Sequence, residues 1–259
     1  MRRFCRVTNP EIIICGDADE LNRKAAERFV LLANEAAAKA GRFTAALSGG
    51  STPRTLYSLL AMPDYKESIP WSQVHLFWGD ERCVPPDHQD SNYRMAREAL
   101  LSKITIPTDN VHRMAGEKEP QVAAVEYEEQ LRKLFQPPPG ALPRFDLILL
   151  GLGEDGHTVS LFPGSEALDE QERLVIAPYI EKLQTHRITL SLPVINEAAV
   201  ILFLVAGKSK SAIVKKVLAE NAESSALPAA RVQPKNGKLT WLIDRDAAAE
   251  LQSNITPSD

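Results

Sequence analysis

Short, almost uninterrupted apolar runs recur along the chain, each separated from the next by a stretch of helical spacing. Glu11–Cys15, Phe43–Leu47, Val74–Trp78, Asp146–Leu150 and Val200–Val205 are the clearest, and Arg187–Leu192 and Leu239–Ile243 continue the rhythm. A strand that is apolar on both sides has to be covered on both sides. Such strands alternating with helices build a parallel sheet between helical layers. The sequence therefore predicts an α/β protein with a Rossmann-like parallel sheet covered by helices on both faces.

The helical stretches carry their own boundary signals. Asp17 offers an N-cap with Glu20 as its capping-box partner, and Leu21, Ala25, Phe29, Leu32 and Ala36 follow at helical spacing up to Gly41. Pro53 suits the first turn of a helix reaching Leu60, and Asn92–Lys103, Gln121–Phe135 and Ser209–Ala219 also read as helices. Gly79–Asp90 reads as a loop, and Pro137–Gly140 as a stiff surface linker. No repeat and no sharp shift of composition divides the chain. One domain over residues 1–259 is expected.

Composition narrows the function classes. Of 259 residues, 44% are hydrophobic and 25% charged, which is enough apolar material for a core and excludes a disordered or collagen-like chain. The formal net charge of -4 disfavours nucleic acid or an acidic membrane as partner. The cysteines, Cys5, Cys15 and Cys83, are odd in number and widely spaced, so neither a disulfide framework nor a zinc knuckle is expected. Met1–Val7 lacks the apolar run of a secretory signal, and no segment approaches the ~20 apolar residues of a membrane span. A cytoplasmic protein is the expectation.

In such sheets, ligands bind beyond the carboxyl ends of the strands, and unusual loops stand at several of these ends. After Phe43–Leu47 comes Ser48-Gly49-Gly50-Ser51-Thr52-Pro53. Its glycines admit a ligand close to the backbone, its hydroxyls donate, and the following helix points free N–H groups at the same place. These are the means of holding a phosphate, although an ordinary capped turn looks similar. After Val74–Trp78 comes Gly79-Asp80-Glu81-Arg82. It is either a solvated loop or a site in which Arg82 polarises a carbonyl or holds an anion, oriented by Asp80 or Glu81.

Gly151-Leu152-Gly153-Glu154-Asp155-Gly156-His157 matches a dinucleotide-binding pattern, but Pro163-Gly164 leaves no room for the crossover helix that pattern needs. His157 is the informative residue there: imidazole titrates near neutrality and suits a general base acting on water, with Asp155 placed to orient it. Gly207-Lys208-Ser209-Lys210 imitates the end of a phosphate-binding P-loop without its first glycine, which Leu202 replaces. Lys208 at a strand-to-helix junction is either a solvated lysine or a phosphate ligand. There is no G-x-S-x-G elbow and no H-E-x-x-H, so a serine or zinc hydrolase is disfavoured, and no metal or cofactor is expected.

Taken together and in this order, these segments resemble the 6-phosphogluconolactonase family, within the wider group that includes glucosamine-6-phosphate deaminase. The resemblance spans about Asp17 to Asp244. It includes Trp78–Pro85 with Asp90-Ser91-Asn92-Tyr93, and Arg187–Asn196. It implies the deaminase-like variant of the α/β fold and hydrolysis of 6-phospho-D-glucono-1,5-lactone in the oxidative pentose phosphate pathway. It also implies a water-activating base at His157 and a lactone contact at Arg82. Ser48, Gly49, Gly50, Ser51 and Thr52, with Arg187 and Lys208, are implied to grip the phosphate.

The deaminases of the group carry an acid where this chain has Phe162 and a Tyr where it has Arg82. A phenyl ring cannot exchange a proton, so ring opening and isomerisation lose a group they need, whereas ester hydrolysis does not. The alternatives are an amino-sugar phosphate deaminase or isomerase, a sugar-phosphate sensor and, resting on Gly151–Gly156 alone, a dinucleotide-dependent oxidoreductase. The partner implied is a small sugar-phosphate lactone, and the expected state is a monomer or weak homodimer.

Overall fold

In the computed structural model, which describes residues 10–219, 221 and 223–252, the apolar runs assemble into a sheet of 7 parallel strands. Cys5 and Met1–Val7 lie outside the described residues. In chain order, β1 (Glu11–Cys15) leads to α1 (Ala18–Ala40), β2 (Phe43–Leu47), α2 (Ser51–Leu60), α3 (Pro63–Lys66) and β3 (Val74–Trp78). Then come β4 (Asp80–Arg82), α4 (Asn92–Ala99), β5 (Val111–His112), α5 (Pro120–Phe135) and β6 (Leu147–Leu150). The second half adds β7 (Val175–Ile176), β8 (Tyr179–Ile180), β9 (Thr185–Leu190), α6 (Leu192–Glu197), β10 (Val200–Val205), α7 (Ser211–Leu218), β11 (Lys238–Asp244) and α8 (Ala249–Gln252).

The main sheet has the order β1-β11-β10-β6-β2-β3-β5. Every residue of β2 and of β6 is buried, as covering on both faces requires. The equally apolar β1, expected to be buried, is instead an edge strand that buries only Cys15 fully and leaves Ile12 and Ile14 exposed. α1 begins as its sequence predicts: the Asp17 carboxylate accepts from the Glu20 N–H at 2.7 Å, and Glu20 accepts from the Gly16 N–H at 2.7 Å. Its buried seam is Leu21, Ala25, Phe29, Ala33 and Ala37, with Leu32 and Ala36 at the margin. Fully burying Phe29 is worth about 2–3 kcal/mol.

The order of the strands places the site. From β2 the chain runs outward through β3 to β5, then returns to lay β6 along the other side of β2 and runs outward again through β10 to β11. The connections leaving β2 and β6 therefore diverge, and a crevice opens beyond their carboxyl ends.

Some expectations need correction. The stretch expected as a loop from Gly79 contains β4, and the strand expected at Arg187–Leu192 is β9, which does not join the parallel sheet. Instead β4, β9 and β7 pair antiparallel in a small second sheet, with β8 against β9. Apolar alternation reports a buried strand but not which sheet it enters. The helix expected over Asn92–Lys103 ends at Ala99 and is followed by a 3-10 turn at Leu101–Lys103, and that expected from Ser209 starts at Ser211 after a 3-10 turn at Lys208–Lys210. Among the described residues no helix is long and apolar enough to cross a membrane.

Candidate active site

A cleft of about 260 Å³ sits in the crevice between β2 and β6. Its first wall is Ser48–Pro53. The backbone of Ser48 is pinned by Tyr57, a fully buried residue of α2: the Ser48 N–H donates to the Tyr57 hydroxyl at 2.9 Å, and that hydroxyl donates to the Ser48 carbonyl at 2.8 Å. Burial pushes the Tyr57 phenol far above its ordinary range, so it remains a donor. No side chain caps α2, whose N-cap is Gly50, so the leading N–H groups of the helix remain available to an anion. A side chain at Gly49 would collide with Asn92, which also lines the cleft.

β4 supplies the second wall. Strand alternation puts Asp80 and Arg82 on one face and Glu81 on the other. Asp80 and Arg82 line the cleft. The Asp80 carboxylate accepts from the Ser160 hydroxyl at 2.7 Å and faces the Asn92 amide at 3.4 Å, while Arg82 donates to the Asp90 carbonyl at 2.7 Å. Glu81 is buried at the start of α4. It accepts from the N–H groups of Arg82 (2.8 Å), Asn92 (2.7 Å) and Tyr93 (2.8 Å) and from the Ser91 hydroxyl (3.1 Å). Burial raises its carboxyl above the ordinary value, with the backbone donors opposing. Of the two acids weighed as orienting Arg82, Glu81 does so through the backbone and ties β4 to α4.

The loop after β6 supplies the third wall. His157 Nδ1 lies 2.5 Å from Asp155 Oδ1, and the Asp155 Oδ2 accepts from Lys182 at 3.0 Å. Burial pushes the Asp155 carboxyl up, but the bonds from His157 and Lys182 outweigh it and hold it at about 2. An ionised carboxylate on Nδ1 selects the tautomer with its proton there, which leaves Nε2 as the basic nitrogen. The ring is clamped between the backbone of Gly153, where any side chain would strike it, and the phenyl of Phe162, stacked at 4.3 Å. Nearby, Val159 lines the cleft at φ 45, a costly conformation for a β-branched residue. The bonds from Thr158 to the Gly151 carbonyl (2.9 Å) and from the Ser160 N–H to Thr189 (3.3 Å) hold the turn on either side of it.

The cationic residues divide. Lys210 lines the cleft, whereas Lys208, the lysine expected from the sequence, is exposed and does not line it. The 3-10 turn at Lys208–Lys210 rotates the second lysine inward, and nothing in Gly207-Lys208-Ser209-Lys210 distinguishes the two beforehand. Arg187 lies directly opposite Arg82 in the β4–β9 pairing, outside the lining of the cleft, and donates to the His186 carbonyl at 3.1 Å. Burial, then the repulsion of Arg82, lowers its pKa. Like charges opposed across a strand pair are unfavourable until an anion joins them. Sequence reasoning missed Lys210, the roles of Asn92 and Ser160, and the Tyr57 clamp. Among the described residues no cluster of His, Cys, Asp and Glu has the makings of a metal site.

Residues 16–241 match the family model described as glucosamine-6-phosphate isomerases/6-phosphogluconolactonase. The chain is 45% identical over 212 residues to a 6-phosphogluconolactonase of Nostoc sp., covering 82% of this chain and 85% of that one. It superimposes on the 6-phosphogluconolactonase from Trypanosoma cruzi with a TM-score of 0.82 at 32% identity, over 96% of this chain and 97% of the other. A monomeric glucosamine-6-phosphate deaminase shares the fold, with a TM-score of 0.78 at 21% identity over 93% and 99% of the two chains.

Proposed function

The chain belongs to the family of glucosamine-6-phosphate isomerases and 6-phosphogluconolactonases, and from that premise we propose that it hydrolyses 6-phospho-D-glucono-1,5-lactone to 6-phospho-D-gluconate, a step of the oxidative pentose phosphate pathway. The observation that carries this reading is the clamped His157–Asp155 pair in the wall of a cleft that also holds Arg82 and an uncapped helix N-terminus. Hydrolysis of an ester needs a base for water, a charge for the developing oxyanion and a grip on the substrate. His157, Arg82 and the uncapped start of α2 are suited to these parts, and Phe162, stacked on His157, occupies the position at which the resemblance would give a deaminase an acid.

In the proposed mechanism the phosphate binds at Ser48, Gly49, Gly50, Ser51 and Thr52. Lys210 supplies the nearby cation and Arg187 charge from behind Arg82. Binding energy from this remote group fixes the ring so that the lactone carbonyl meets its catalytic groups. His157 Nε2 takes a proton from water as the oxygen attacks C1, and Asp155 stabilises the imidazolium. Arg82 faces the oxyanion, with Asp80 and Asn92 holding the wall behind it. Collapse of the tetrahedral intermediate breaks the C1–ring oxygen bond, and the imidazolium returns its proton to that oxygen. The proposed state is a monomer or weak homodimer, and the proposed steps use no metal.

The test is direct. Chelator-treated protein is given fresh 6-phosphogluconolactone and, in parallel, glucosamine 6-phosphate. Acid release above the spontaneous rate from the first, and no ammonia from the second, is the expected result; ammonia release without lactone hydrolysis overturns the reading. His157→Ala should lower kcat by at least about 100-fold with little change in KM.

A further inference from the structure

Asp155 is engaged from two sides, by the proposed base and by a lysine from a different part of the fold. Lys182 stands on the 3-10 turn Glu181–Leu183 that joins β8 to β9. Gln184, at φ 50, closes that turn, and its amide donates to the Glu181 carbonyl at 2.7 Å. The turn lies beside a groove of about 1060 Å³ that Lys182, Asp155 and Phe162 line, while His157 lines the 260 Å³ cleft. Asp155 and Phe162 thus form the back of the catalytic site, and Lys182 reaches it from behind.

We propose that Lys182 is a positioning residue for His157, acting through Asp155 and never touching substrate. The inference rests on the reading of His157 as the base. An exposed ion pair is ordinarily of little consequence. This one terminates on a carboxylate whose other oxygen is committed to an imidazole, so its charge is felt by the ring. A lone carboxylate on Nδ1 stabilises the imidazolium and raises the pH below which the base is blocked by its own proton. Lys182 shares the charge of Asp155 and opposes that stabilisation, and it anchors the carboxylate so that the ring keeps its plane. Asp80 and Arg82 from β4 and Lys210 from the turn after β10 line the same cleft as His157, and Glu154 is exposed on the loop of His157 itself. Glu166, Asp169, Glu170, Arg173, Glu181 and His186 line the groove with Asp155 and Lys182. Substituting Lys182 leaves these unchanged.

The experiment compares wild type, Lys182→Met and Lys182→Arg. The His157 ring is titrated by NMR in the unliganded protein, its signal assigned by loss in His157→Ala, and kcat/KM for the lactone is followed against pH. In Lys182→Met, the His157 titration and the acid limb of kcat/KM both move to higher pH, on the order of 0.5 unit for a pair this exposed. KM above the limb is unchanged, and Lys182→Arg follows wild type. The shift between wild type and Lys182→Met shrinks in 0.5 M salt as screening removes the charge of Lys182. Coincident titrations and limbs in wild type and Lys182→Met overturn the proposal, as does a lowered plateau with an unmoved limb. Wild-type kcat in His157→Ala instead overturns the base assignment, an outcome the resting titrations do not depend on.

Discussion

The Phe162 ring stacks on the His157 imidazole, with centroids 4.3 Å apart and planes 20° from parallel. The residue that stands where the resemblance to the deaminases would place an acid therefore also fixes the plane of the proposed base. Such stacking is worth about 0.5–1.5 kcal/mol, or roughly 2–10-fold in a rate that depends on the ring's position. Phe162→Ala is expected to lower kcat by about tenfold with KM nearly constant, and Phe162→Tyr to stay close to wild type. Steady-state hydrolysis at several lactone concentrations separates the two constants; an unchanged kcat in Phe162→Ala would mean that the ring holds nothing.

The placement of Lys210 in the cleft and of Lys208 in solvent separates two adjacent-looking lysines. A hydrogen bond to a charged group contributes about 1.5–3 kcal/mol. Lys210→Ala should raise KM by about 10–100-fold with a smaller effect on kcat, and Lys208→Ala should leave both within about twofold. The reverse ranking in the same assay would return the phosphate grip to Lys208.

Tyr57 holds both backbone groups of Ser48 with one hydroxyl, at 2.9 and 2.8 Å. Tyr57→Phe keeps the packing and leaves a buried N–H and C=O without that partner, each costing about 1–3 kcal/mol. Urea unfolding is expected to show a loss of about 2–4 kcal/mol, accompanied by a higher KM because the proposed phosphate loop starts at Ser48. Equal midpoints for the two proteins would show that the clamp is dispensable.

His75 and His112, from neighbouring strands, stand 3.1 Å apart, and His112 stacks on Phe77 at 4.3 Å. Burial and then the neighbouring His75 depress His112 to about 4; burial and then Arg42 also lower His75. The unfolded chain binds these protons more readily than the folded one. Their contribution is therefore full above about pH 6.5 and is lost as pH falls toward 4. Stability measured by denaturant should drop over that window by about 2 kcal/mol more in wild type than in His112→Phe. Parallel profiles for the two proteins would dismiss the pair as the cause.

Much of this architecture was readable in advance because its signals are local. A double-sided apolar run such as Leu147–Leu150 marks a strand, though only its place in the sheet decides how far it is buried, as the exposed Ile12 and Ile14 of the edge strand β1 show. An Asp17–Glu20 pair caps a helix with groups already adjacent in the chain. The site was readable as a set of loops for the same reason: the Ser48–Thr52, Asp80–Arg82 and Asp155–His157 segments each announce their chemistry at a strand end. The partners of those loops were not readable. Lys182 meets Asp155 across 27 residues and Ser160 meets Asp80 across 80.

Strand content, helix boundaries and the residue types available for catalysis follow from periodicity and short-range stereochemistry, which a linear chain displays openly. Which sheet β9 joins, which of two lysines turns inward, and which cation stands behind the proposed base depend on packing between segments far apart in sequence. Their energies are differences between competing long-range arrangements, and no local pattern in 259 residues records them.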